Sequence, residues 1–209
     1  MNKRYSRKKD GLIPKQFSTL LFLSVCFVIG IILGCMFASY STARANSGLL
    51  SYIERYLTLA QEDQVEWPSL FSVFWEVSRW PLAAGVFGLT LLGVAVVPLL
   101  FLIRGFLLSY AVSIFVSVMG MKGLGLAIAI FGISALFSIA ALFMIGTEAF
   151  TCGRALNEVG GKTEHNNRIK AQKHLVFQLA ITIGWLCAGT MIQYWISPIL
   201  LRVAANFYL

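Results

Sequence analysis

Charge is what this chain has least of. Asp, Glu, Lys and Arg make up 12% of its 209 residues, about half the roughly 25% of an ordinary soluble domain. Hydrophobic residues reach 58% and mean hydropathy is +0.77, which excludes a soluble globular protein of this length and marks an integral membrane protein. Histidine is scarcer still. His165 and His174 are the only two, and neither has zinc-like spacing from Cys26, Cys35, Cys152 or Cys187, which form no CxxC. No metal centre, disulfide framework or cofactor is therefore expected, and the cysteines inside apolar segments act as small hydrophobes. There are no paired carboxylates within a span and no nucleophile beside a recognisable base, so catalysis is not expected either. Gly160-Gly161-Lys162 lacks the spacing of a phosphate loop. The formal net charge is +8, yet the basic residues flank apolar runs and no nucleic-acid motif accompanies them. Anionic lipid is the expected counter-charge.

What is present is a series of long apolar runs, read as an all-α polytopic protein with five transmembrane helices. Residues 1–16 form a basic arm with Lys3, Arg4, Arg7, Lys8, Lys9 and Lys15, held in the cytoplasm by the positive-inside rule. The first span is 17–40. Ala43-Arg44-Ala45 has the form of a signal-peptidase site, but the apolar run before it exceeds the ~7–15 residues of a signal-peptide core, so an uncleaved anchor is expected. Ile32-Leu33-Gly34-Cys35 is a loose lipoprotein box, atypical in the leucine before its glycine. Residues 41–79 then form an extracytoplasmic segment, acidic in balance. Leu49, Ile53, Tyr56 and Leu57 share one face of an amphipathic helix there, which lies on the membrane or docks a partner. Trp67, Trp75 and Trp80 read as an interfacial aromatic belt.

Between Trp80 and Met121 the lone charge is Arg104, followed by Gly105, which predicts a tight cytoplasmic hairpin between a second span at 80–103 and a third at 105–121. A fourth span at 125–147 follows the turn at Met119–Leu124, then a cytoplasmic loop at 148–174, a fifth span at 175–201 and an extracytoplasmic tail at 202–209. This topology has the amino terminus inside and the carboxyl terminus outside. It leaves only Arg44, Arg55, Arg79, Lys122 and Arg202 of the 17 basic residues outside.

Within the spans, Gly30 and Gly34 form a GxxxG pair, and Ser109, Ser113 and Ser117 make a small hydroxylated stripe; both suit close helix packing. Gly88 and Gly93 precede Pro98, which predicts a kink. If spans two and four end on the same side, Arg104 and Glu148 share that face, and either an ion pair between them or separate snorkelling into the headgroups is expected.

The run from Val86 to Gly132 resembles the stage II sporulation protein M family. It has a glycine-bearing span with Gly88, Gly93 and Pro98, an [RK]-G-F at Arg104-Gly105-Phe106, a small-residue helix and a G-x-x-G turn at Gly120 and Gly123. It departs from the family after that hairpin, where Leu107, Leu108 and Ser109 replace a frequent further glycine. The resemblance implies a non-enzymatic scaffold in the cell membrane of an endospore-forming bacterium. Its place would be the sporulation septum and engulfing membrane, where it would bring two peptidoglycan-degrading partners, the stage II proteins D and P, to the wall. The competing reading is a small permease or a transporter subunit, with Pro98, the serine stripe, Arg104 and Glu148 along a path.

Overall fold

The computed structural model describes residues 17–40, 69–157 and 162–208, and every regular element among them is helical. α1 spans Phe17–Tyr40, α2 Leu70–Gly88, α3 Gly93–Met119 and α4 Met121–Ala127. A π-helical turn at Ile128–Gly132 leads into α5, Ile133–Asn157, and α6 runs Lys162–Tyr208. The basic arm and the face carrying Leu49, Ile53, Tyr56 and Leu57 lie outside the described residues.

Four of these helices contain a stretch long and apolar enough to cross a membrane: Phe17–Tyr40, Gly93–Ser117, Ser134–Arg154 and Gln172–Ile196. In such a setting every polar group needs an internal partner. The hydroxyls of Ser24, Ser39, Thr151, Thr182 and Thr190 accordingly donate to the carbonyl four residues earlier on their own helix. α2 begins on Ser69, whose side chain accepts from the Ser72 N–H. It also contains Pro81, which has no N–H and so releases the Val77 carbonyl. That carbonyl accepts a 3.0 Å bond from the buried Ser138 hydroxyl of α5.

The expected hairpin at Arg104-Gly105 does not form. α3 is continuous from Gly93 to Met119 and carries both residues in its middle, with Pro98 inside it. The chain reverses instead at Leu89–Leu92, where Leu89 N–H bonds to Val86 O, Thr90 N–H to Phe87 O and Gly93 N–H to Thr90 O. The physical reason lies in the glycines. A Cβ on Gly93 would press on the Phe87 carbonyl and the Gly88 backbone, so this reversal requires a residue without one. A Cβ on Gly105 would strike the Phe27 carbonyl of α1, so that glycine serves helix packing. In place of the spans expected at 80–103 and 105–121 stand α2, which is not among the four stretches long and apolar enough to cross a membrane, and α3, which contains one. A second reversal falls at Gly120, whose φ of 63° is in the left-handed region. Nor is 148–174 a loop: α5 continues to Asn157 and α6 starts at Lys162.

Paired contacts fix the helix directions. Ile31 meets Ser109 and Cys35 meets Ser113, so α1 and α3 are parallel. Phe101 covers Gly146 while Val94 lies on Gly153, so α3 and α5 are antiparallel. Val77 meets Ser138 and Gly88 meets Ala149, so α2 and α5 are parallel. Glu148 meets His174 and Phe137 meets Gly189, which makes α5 and α6 antiparallel. α1, α3 and α6 therefore run one way, α2 and α5 the other. α5 is the hub: half of its apolar window is buried, against 17% for α1. Its Leu142, Ile145, Ala149 and Phe150 join Phe101, Val97, Ala84, Leu23 and Leu175 in the main core.

Candidate functional site

Most residues singled out in the sequence converge on α3, and they divide between two of its sides. On the side facing α1, the backbones approach closely. A Cβ on Gly30 would strike the Leu102 carbonyl, and one on Gly34 would meet the Ser109 hydroxyl and the Phe106 carbonyl. Ser109 donates across the seam to the Ile31 carbonyl at 2.9 Å and locally to Phe106 O at 3.2 Å. One turn on, Ser113 Oγ lies 3.4 Å from Cys35 Sγ. Phe106 stacks on Tyr110 with ring centroids 5.9 Å apart, and Phe37 of α1 sits 5.9 Å from each. Gly30, Gly34, Gly105, Phe106, Ser109 and Ser113 thus form one α1/α3 seam. Ser117 is exposed beyond it.

On the other side, α3 meets α2 at the Trp80 ring. Arg104 is the twelfth of 27 residues in α3, about 17 Å from the helix start at ~1.5 Å per residue. Its guanidinium carbon lies 5.9 Å from the Trp80 ring centroid, and that of Arg79 lies 5.8 Å from the same ring. Glu76 and Arg79 are both within electrostatic reach of Arg104. Neither pairs with it, for among the described residues the ion pair within 4.0 Å is His174 with Glu148. Arg104 Nε, Trp80 Nε1 and Ser78 Oγ are buried without a hydrogen-bond partner among the described residues. This polar layer was missed in the sequence, where Glu76, Arg79 and Trp80 read as part of an outside segment and its aromatic belt. The available signal was that the charges sit inside an otherwise apolar 70–88 run.

The expected Arg104–Glu148 pair is absent as well. In the antiparallel register of α3 and α5, which sets Val94 on Gly153 and Phe101 on Gly146, Glu148 is level with residue 99, more than a turn from Arg104. Glu148 meets His174 Nδ1 at 3.1 Å instead, tying α5 to α6. Gly88 is packed on Ala149, and Gly93 lies in the tight reversal beside it. Among the described residues no group of three or more His, Cys, Asp or Glu could hold a metal ion.

An all-helical membrane protein with four helices apolar enough to cross a membrane is the class these features define. Compared with known families, the chain matches Stage II sporulation protein M over residues 23–205, most of its length, and it belongs to that family. It is therefore a membrane protein of a sporulation family, one that is not known as catalytic. No curated protein matches the chain. No solved structure matches it.

Proposed function

We propose that this chain is a non-enzymatic membrane scaffold of the stage II sporulation protein M type. It recruits peptidoglycan-degrading partners, the stage II proteins D and P, to the septal and engulfing membrane during endospore formation. The observation that carries the reading is the family match over residues 23–205. In it, α1, α2, α3, α5 and α6 are five crossings, with the amino terminus cytoplasmic and the carboxyl terminus extracytoplasmic. The alternation of helix directions supports five crossings. The distribution of charge supports the orientation: the arm and the Arg154–Lys173 region are basic, whereas the outside holds only Arg44, Arg55, Lys122 and Arg202. The segment 41–69 and the Gly120 reversal then face the wall, where such partners act.

Deletion of the gene in an endospore-forming host tests the proposal. The expected outcome is arrest of engulfment with fluorescently tagged wall hydrolases dispersed from the septum, restored by the wild-type chain. Completed engulfment with the hydrolases still at the septum would overturn the scaffold role. Robust solute flux from the purified protein in proteoliposomes would replace it with a permease.

A further inference from the structure

α2 carries Glu76 and Arg79 on its exposed side, at the edge of its contact with Arg104 of α3. Val73, Val77, Pro81, Ala84 and Gly88 are buried against the other helices, whereas Ser72, Glu76, Arg79 and Val86 are exposed and Ala83 is half-buried. These last five residues are spaced by 4, 3, 4 and 3, the repeat of the inner positions in a two-stranded left-handed coil. At ~100° per residue they form one stripe along the helix. The stripe lies within the apolar depth of the bundle: Val77, next to Glu76, contacts Ser138 inside the apolar window of α5, and Trp80, next to Arg79, contacts Arg104 in the middle of that of α3. Neither charge makes an ion pair among the described residues, and at this depth such residues face a partner or an aqueous path.

We infer that this stripe is a homodimer seam, occupied by α2 of a second copy of the chain. The argument is charge complementarity. The stripe holds one acid and one base a turn apart, at consecutive inner positions, so in a parallel two-fold pair Glu76 reaches Arg79 of the partner subunit while Arg79 is reached by the partner's Glu76. Each acid then lies between the base one turn along its own helix and the same base of the other copy. The flanking inner positions, Ser72 and Ala83, are small, which lets two backbones approach in lipid. Phe71 and Trp75, 75% and 57% exposed, extend the contact toward the outer end. This inference goes beyond the scaffold role and rests on the five-crossing topology proposed above, not on the wall hydrolases as partners.

Two differently tagged copies co-expressed and co-purified from membranes test it. The wild-type pair co-purifies. Glu76→Arg alone and Arg79→Glu alone each reduce co-purification at least tenfold, because each variant presents a single sign to itself. Co-expressing tagged Glu76→Arg with tagged Arg79→Glu restores it, through opposite faces that pair only between unlike chains. Equal recovery from all combinations, or no restoration by the mixed pair, would overturn the seam. If the charge variants fail to accumulate, Val86→Cys in the otherwise intact chain provides a second readout, since this exposed position meets its own symmetry mate. Oxidation in intact membranes should yield a disulfide-linked dimer several-fold above the wild-type background from the four native cysteines. No increase over that background, or a cross-link to a different membrane protein in its place, would sink the second-copy assignment.

Discussion

The α1/α3 seam and the outer face of α2 solve opposite problems. Between α1 and α3 the polar groups are small, uncharged and partnered: Ser109 reaches the Ile31 carbonyl, and Gly30, Gly34 and Gly105 let the backbones touch. On the outer face of α2 the polar groups are Glu76 and Arg79, long, charged and exposed, with no ion pair among the described residues. The first surface is finished within one chain. In the proposed dimer the second is completed by the other copy, which gives a physical meaning to full charges where hydroxyls would have sufficed.

The comparison can be sharpened most on α2. Arg79 is the tenth of 19 residues in that helix, its centre, where arginine opposes insertion most strongly. Arg79→Leu should make the isolated 70–88 segment insert more favourably by about 3 kcal/mol in a translocon glycosylation assay. No gain would mean that α2 does not carry its charge at membrane depth. Next in size is the other surface. Gly105→Ile sets a side chain on the Phe27 carbonyl, a backbone atom that cannot turn aside, and should cost about 2–3 kcal/mol in reversible unfolding from mixed micelles. Gly184→Ile is the control: nothing lies within 4 Å of a Cβ there, so its effect should stay within about 0.5 kcal/mol.

The same contrast explains which parts of the fold were legible in the sequence. Apolar length marks a helix in lipid reliably, so α1 at 17–40 could be read directly, as could the small-residue pattern of Gly30, Gly34, Ser109 and Ser113. The reversal was misplaced because a lone Arg beside Gly carries the same signature at a membrane surface as at a buried polar layer. What separates the two is where the chain reverses, and Glu76 and Arg79 made the first half of α2 read as part of a polar segment rather than as one helix ending at Gly88. The pairing of Glu148 was missed for a related reason: choosing His174 over Arg104 takes the register of α5 on two neighbours, which no local pattern encodes. The role of Ser138 likewise depends on Pro81, 57 positions away in sequence, having freed the carbonyl it serves.

That bond gives a smaller and more diagnostic effect. Ser138→Ala removes the hydroxyl that serves the Val77 carbonyl, and should cost about 1–2 kcal/mol because the acceptor is buried. Pro81→Ala returns an N–H to the helix at the position that faces this carbonyl, so Ser138→Ala made in that background should cost less than half as much. An equal cost in both backgrounds would show that Ser138 acts through packing rather than through the proline-freed carbonyl.

The smallest effect decides what holds the α1/α3 seam together. Ser109→Ala loses the 2.9 Å bond to the Ile31 carbonyl, yet the hydroxyl already has a second acceptor on its own helix at Phe106, so separated helices in the bilayer would still satisfy it. The Ile31 carbonyl is also not orphaned, since it lies within the continuous backbone ladder of α1. The expected cost is therefore about 0.6 kcal/mol, typical of an interhelical bond in lipid, with Ser113→Ala smaller still because its acceptor is a thiol sulfur at 3.4 Å. Measured beside Gly105→Ile in the same unfolding assay, this ranking says that the seam is held by the fit of its backbones and only oriented by its hydroxyls. If Ser109→Ala instead matched or exceeded Gly105→Ile, hydrogen bonding would be the glue on α1 as charge is on α2, and the two surfaces would differ only in the strength of their polar groups.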